Sequence, residues 1–377
     1  MIQNIMVSYE YIFEYEEEQL CFVILYKERK IPSLPDISNF EERRAFIKKL
    51  YTEEVYGKEV PRPESVSFET ELLEGGNYCA GKALLEKVTV TSKILGREFS
   101  FPFKFVHPEN KKNQKVIVQI NFGPECPHKY TPAEEIIDLG FSVAVFNYQD
   151  VTSDNNDFTD GLAGILFPDG KRISPDSTGK IMMWSWAASR VFDYLETLDF
   201  VDLDNVTVAG HSRLGKTALV TGAFDERFKY VHSNDSGCGG GAIFRDKRGE
   251  SVEVIVDHFS FWFCPAFAKY IKNEHSMPFD QHFLIGAIAP RFVHIATAVE
   301  DVWADPDSEY LTCVCASAEY ERLGLTGFVH PDRMPELEEH LNKGRIGYYV
   351  REGRHYFSRY DWKKLTEFIN LKIGENK

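Results

Sequence analysis

The 377-residue chain has no basic surplus: 43 lysines and arginines face 58 aspartates and glutamates, for a formal net charge of −15. A chain this acidic is repelled by nucleic acid and by anionic membranes, so small or neutral partners are expected rather than either of those. It also lacks any apolar run approaching the roughly 20 residues that cross a bilayer. Met1 to Leu20 carries acidic residues where an export signal has a basic start and an apolar centre, so a cytoplasmic protein is expected. Cysteine is sparse and odd in number: Cys21, Cys79, Cys126, Cys238, Cys264, Cys313 and Cys315 do not form a disulfide-like framework. Reduced thiols fit that pattern. Internal repeats and low-complexity segments are missing too, which excludes solenoids and disordered arrays.

What remains is an ordinary globular composition, 43% hydrophobic, in a chain long enough for one large α/β domain. Residues 1–34 alternate aromatic and polar side chains and read as a hairpin outside the main fold. Phe40, Phe46, Leu50 and Tyr51 space a helix, and Val60-Pro-Arg-Pro63 reads as a linker. Residues 1–70 are therefore expected to be an extension packed on a main domain of residues 71–377. That domain opens with a hairpin around Leu95-Gly96-Arg97. Apolar runs at 115–121, 141–146, 205–210, 228–233, 291–297 and 345–350 then alternate with helices, the pattern of buried parallel strands. The expected fold is a doubly wound, mostly parallel sheet between helical layers. Residues 238–280, with their glycines and the aromatic cluster Phe259-Ser-Phe-Trp-Phe263, read as an inserted loop over the strand ends, where open α/β sheets bind ligands.

The stretch Val206-Thr-Val-Ala-Gly-His-Ser-Arg-Leu-Gly-Lys-Thr217 passes from a strand through a glycine-bounded turn into an apolar helix. A serine on such an elbow is lifted out of the sheet, which makes Ser212 a candidate nucleophile. The same letters from Gly210 to Thr217 spell the glycine-rich loop that cradles nucleotide phosphates. That second reading needs a following apolar strand ending in a magnesium-binding aspartate. Here the following strand is interrupted by His232, Ser233 and Asn234. A serine hydrolase needs an acid and then a histidine downstream at strand ends, and Asp301 and His355 lie at those places. For His128, His275, His282 and His340 surface positions or helix packing are expected. A third reading is a binding protein that keeps the fold without turnover.

Seven segments sharpen the choice: Gly210-His-Ser-Arg-Leu-Gly-Lys216, Asp235-Ser-Gly-Cys-Gly-Gly240, Trp262-Phe-Cys-Pro265, Pro278-Phe-Asp-Gln-His282, Ile288-Ala-Pro-Arg291, Glu300-Asp-Val-Trp303 and Gly353-Arg-His355. Together, and over roughly residues 80–373, the chain resembles the glucuronoyl esterases of carbohydrate esterase family 15 and relatives often labelled acetylxylan esterases. The resemblance implies the α/β-hydrolase fold and a serine esterase acting on a small carbohydrate ester, without metal or organic cofactor. By position it implies Ser212 as nucleophile, His355 as base and Arg213 as an oxyanion partner. Lys216 becomes a sugar contact and Trp303 a stacking platform. The family's acid stands after either of two strands, and both Asp235 and Asp301 fill those places; Asp301 stands at the usual position of this fold.

The chemistry of these residues supports the same roles, with alternatives open. A serine hydroxyl needs a base, and an imidazole can take and return a proton near neutral pH. The backbone N–H of Arg213 is one oxyanion donor, and its guanidinium adds charge; a salt bridge to a nearby acid is the other reading. Lys216 stands on a helix first turn, where the dipole disfavours a cation, so a functional contact is favoured over a solvated one. Trp262 and Trp303 suit either core packing or the apolar face of a sugar ring. The elbow reads G-x-S-x-x-G, with Leu214 where many hydrolases keep a small residue.

Overall fold

The computed structural model describes residues 29–373 apart from residue 111, so most of the hairpin expected over residues 1–34 lies outside the described residues. Ten strands form one sheet in the order β1-β2-β3-β5-β4-β6-β7-β8-β10-β9. They are β1 (Ser65–Glu74), β2 (Leu84–Ile94), β3 (Arg97–His107), β4 (Lys115–Asn121), β5 (Phe141–Asn147), β6 (Thr207–His211), β7 (Tyr230–Asn234), β8 (Phe292–Ala298), β9 (His340–Leu341) and β10 (Ile346–Arg351). The six strands from β5 to β10 across the centre run parallel. β1, β2 and β3 add an antiparallel edge, and β9 closes the other edge antiparallel to β10.

The central strands are short and rich in valine and isoleucine, and their alternate side chains enter two different cores. Val116, Val118, Val208, Val231 and Val293 face one layer, whereas Ile117, Val143, Ala209, Tyr230 and Phe292 face the other. On the first face lie α4 (Lys180–Leu195), α5 (Arg213–Phe224) and α8 (Pro306–Arg322). On the second lie α2 (Ala133–Asp138) and α9 (Arg359–Lys372), which contributes Trp362, Leu365, Phe368 and Ile369. Burial on both faces is what makes the strands read as unbroken apolar runs. The remaining helices are α1 (Phe40–Glu54), α3 (Gly161–Leu166), α6 (Val252–Phe259) and α7 (His282–Gly286).

Two sequence expectations are corrected. A divide at residue 70 falls inside β1, which pairs with β2 from Ser65 to Glu74 and so belongs to the sheet. β1 escaped notice because it is an edge strand with mostly exposed side chains, so its apolar pattern is weak. The helix before it is also built in. Asn39 caps α1, Ile47 and Tyr51 are buried, and the buried guanidinium of Arg43 donates from Nε to both carboxylate oxygens of Glu319 on α8 at 2.8 Å. The region 238–280 is not a plain loop but carries α6 and several single turns, with Phe261, Phe263, Phe267 and Phe279 in the core. No described helix is long and apolar enough to cross a membrane. The six cysteines among the described residues are free thiols.

Candidate active site

Every strand that feeds the site ends on the same edge of the sheet. Ser212 joins β6 to α5 with φ 58° and ψ −128°, a conformation that costs a non-glycine residue energy and that sequence alone does not display. Its N–H donates to the carbonyl of Asn234 at 2.9 Å, tying the elbow to the end of β7. The flanking glycines leave little room for a side chain. A Cβ on Gly210 would collide with the carbonyl of Leu214, and one on Gly215 would lie 2.9 Å from Ser233 Oγ and 3.0 Å from Ser236 Cβ. Leu214 is tolerated because its side chain points into the core and only its backbone meets Gly210. At the start of a twelve-residue helix, the N–H groups of Arg213 and Leu214 have no acceptor within the helix and are available to an anion.

The loop after β8 carries Asp301 and the loop after β10 carries His355. Asp301 Oδ2 and His355 Nδ1 are 2.6 Å apart; the aspartate is buried and the histidine is partly open to solvent. An acceptor-only carboxylate there fixes the proton on Nδ1 and leaves Nε2 free to act as a base. Asp235 is close as well, since ligand-capable atoms of Asp235, Asp301 and His355 all lie within 4.8 Å of one another. Yet its Oδ2 accepts from Arg351 Nη2 at 3.3 Å and from the Tyr356 N–H at 3.4 Å, not from the imidazole. Burial, and next the charge of Asp301, push the Asp235 carboxyl well above the usual carboxylate range.

Arg351, which the sequence reading did not single out, organises this corner. Its Nε donates to Asp361 Oδ1 at 2.9 Å, and its terminal nitrogens reach the carbonyls of Arg354 and Tyr356, the two neighbours of His355. Asp361 also forms a capping box with Ser358 at the start of α9, so the loop bearing the base is pinned at both ends. His211 Nδ1 lies 2.6 Å from Asn234 Oδ1, and its ring is 4.4 Å from that of His355. Burial, then repulsion by His355, holds His211 well below the normal histidine range, so it is a neutral wall rather than a second base.

The other expected residues divide. Arg213 pairs with Asp154, and its guanidinium lies 4.6 Å from the centre of the Trp262 ring. Trp303 is 54% exposed on the loop that holds Asp301. Trp262 is 3% exposed, with Phe259 stacked parallel at 4.0 Å and its Nε1–H given to Asp154 Oδ1 at 2.7 Å. The expectation that Trp262 offers a stacking face is corrected: its ring is already covered. Lys216 is buried, donating from Nζ to the carbonyl of Ser236 at 2.6 Å with Glu250 Oε2 at 3.6 Å. That arrangement also removes the phosphate-loop reading, because Thr217 Oγ1 is spent on the carbonyl of Arg213 and Lys216 on that of Ser236. Among the histidines treated as packing residues, His282 is buried against the Pro32 carbonyl and His275 pairs with Asp246 at the surface.

A strained serine between strand and helix, followed in chain order by an aspartate and a histidine joined at 2.6 Å, on a mostly parallel sheet covered on both faces, is the arrangement of the α/β-hydrolase fold. Comparison with known proteins narrows the class. The family model described as "Glucuronyl esterase, fungi" matches residues 88–324. Carbohydrate esterase MZ0003, from an unknown prokaryotic organism, is 41% identical over 238 residues, covering 63% of this chain and 55% of that protein. The 4-O-methyl-glucuronoyl methylesterase of Podospora anserina is 30% identical over 215 residues, covering 54% of this chain and 43% of its own. Among solved structures, a glucuronoyl esterase from Solibacter usitatus superposes with a TM-score of 0.83 at 30% identity, over 91% of this chain and 98% of that one. The chain belongs to the glucuronoyl esterase family, carbohydrate esterase family 15. It spans about half the length of the curated relatives it matches.

Proposed function

We propose that this protein hydrolyses an ester carried by a sugar, with an ester of a glucuronate carboxyl as the first choice and an acetyl ester on a xylose-type unit as the second. The observation that carries the reading is the Asp301–His355 pair at 2.6 Å beside the Ser212 elbow. Ser212 Oγ attacks the ester carbonyl while His355 Nε2 takes its proton. The oxyanion is met by the N–H groups that open α5 and by the Arg213 guanidinium. His355 returns the proton to the departing alcohol, leaving an acyl-enzyme on Ser212. Water then repeats the sequence to release the acid and restore the serine. Asp301 holds the imidazole tautomer throughout.

The preference for a uronate ester rests on the cation beside the nucleophile and on the names of relatives such as the Podospora anserina enzyme. Trp303 supports it with an open aromatic face for the sugar ring. A cytoplasmic enzyme working on small imported glycoside esters is part of the same proposal. The test is a side-by-side rate measurement on methyl glucuronate and on acetylated xylo-oligosaccharides, with Ser212→Ala as control. Faster turnover of the uronate ester, lost in Ser212→Ala, is expected; faster release of acetate would reverse the order, and activity surviving Ser212→Ala would sink the mechanism.

A further inference from the structure

The polar excursion between β5 and α4 contains several aspartates that nothing local tells apart. Only one of them reaches the nucleophile's neighbour. Asp154 Oδ2 accepts the Tyr148 hydroxyl at 2.7 Å and pairs with Arg213 Nη1, while Oδ1 accepts the Trp262 indole N–H at 2.7 Å. Its side chain is only 10% exposed. The loop is itself anchored from beneath. Lys180 Nζ, at the start of α4, donates to the carbonyls of Ser153 and Asp157 at 2.6 Å each, and Asp160 accepts from Thr152 Oγ1 at 3.0 Å and from the Ser153 N–H at 3.1 Å.

We infer that Asp154 is a positioning residue that fixes the Arg213 guanidinium against the reacting carbonyl, an inference that rests on the reading of Ser212 as an esterase nucleophile. An arginine side chain carries about 2 kcal/mol of rotamer entropy, and a guanidinium beside a nucleophile helps only if it is already in place when the oxyanion forms. Asp154 takes one edge of the fork and the Trp262 ring lies against it, so little freedom remains. Because Trp262 is held by the same carboxylate, one side chain sets both the cation and its aromatic support. The carboxylate lies 59 residues before Arg213 in sequence, and only the fold brings them together.

The inference is tested by a double-mutant cycle on two readouts: the second-order rate of Ser212 labelling by a fluorophosphonate, which builds a charged phosphoryl oxygen in the same place, and kcat on methyl glucuronate. Asp154→Asn should slow both by about 10- to 100-fold, as expected for a misplaced group. Arg213→Ala should slow both by about 100- to 1000-fold. The double variant should match Arg213→Ala within about twofold, and Asp154→Glu, which keeps the carboxylate, should recover part of the rate. Losses that multiply in the double variant, or Asp154→Asn at the wild-type rate, overturn the inference. Should Asp154→Asn alone not fold, the double variant leaves no unpaired charge and is compared directly with Arg213→Ala; a further drop there also overturns it. Labelling of Ser212 without hydrolysis of methyl glucuronate unseats the proposed substrate alone, whereas no labelling of the wild-type protein removes nucleophile and inference together.

Discussion

Asp301 Oδ2 stands 2.6 Å from Nδ1 of His355, whereas Asp235, on the neighbouring strand end, spends its Oδ2 on Arg351 and the Tyr356 N–H. Two carboxylates thus lie beside one base with different work. Asp301→Asn should lower kcat by up to about 10⁴-fold with little change in stability, because the imidazole loses the partner that fixes its tautomer. Asp235→Asn should cost far less in kcat and show itself mainly in the melting temperature, through the weakened Arg351 anchor. Parallel kinetics and thermal melts on the two variants decide between them; a large loss of kcat at position 235 alone transfers the orienting role there.

The two tryptophans separate binding from packing. Trp303→Ala, at an exposed position, should leave stability within about 0.5 kcal/mol and raise KM for a sugar ester more than for a small acyl ester. Trp262→Ala should cost about 3–5 kcal/mol of stability, since it opens a cavity beside Phe259 and takes a donor from Asp154. Chemical denaturation of both variants, read with KM on the two esters, checks the contrast. A stable Trp262→Ala would mean that this corner collapses without cost.

Strands were legible where both faces are buried, because valine and isoleucine then run without interruption, as in β4 and β5. β1 was not, since an edge strand with exposed glutamates gives no such run, and β9, at two residues, is too short to carry any pattern. Ser212 and His355 could be put forward as nucleophile and base because each sits at a strand end in a fixed chain order. Choosing between Asp235 and Asp301 needed coordinates: Arg351, whose bonds separate them, looks in sequence like any arginine after a strand. Asp154 was hidden for the same reason, being one aspartate among several in a polar loop. Lys216 was singled out for its odd place at a helix start, and the odd place has a local cause in the Ser236 carbonyl and Glu250.

The elbow itself predicts an asymmetry between its glycines. A methyl at position 215 would meet Ser233 Oγ at 2.9 Å and Ser236 Cβ at 3.0 Å, side-chain atoms that can shift by a few tenths of an ångström, and the Asn234 carbonyl oxygen only at 3.2 Å. Gly215→Ala should therefore cost about 1–3 kcal/mol and still fold. At position 210 the obstacle is the backbone of Leu214 and Gly215, which cannot move without unwinding the first turn of α5. Gly210→Ala should lose Ser212 labelling altogether, and should melt lower than Gly215→Ala in a thermal scan. Equal melting temperatures would show that the strand and helix can part more easily than the close approach implies.

The last prediction concerns pH. Glu309 on α8 is fully buried, with Oε1 accepting the N–H of Gly237 and the Ser236 hydroxyl beneath the loop that carries Asp235. Burial raises its carboxyl to about 8. Since the folded value lies above the unfolded one, the unfolded chain releases this proton first, and stability falls as pH rises. The contribution is complete below about pH 4.5 and is lost up to pH 8, at roughly 1.4 kcal/mol per pH unit. Two histidines, His232 buried and His340 partly so, oppose it at the acid end: desolvation lowers His232 to about 3 and His340 to about 4, so their contribution is present above pH 6.5 and lost as pH falls. Glu309→Gln keeps an acceptor for Gly237 and cannot ionise, so it removes only the first of these slopes. Measured against wild type, its melting temperature should gain steadily from pH 6 to pH 8 and then level off. A difference that stays constant across that range would mean that Glu309 does not titrate there.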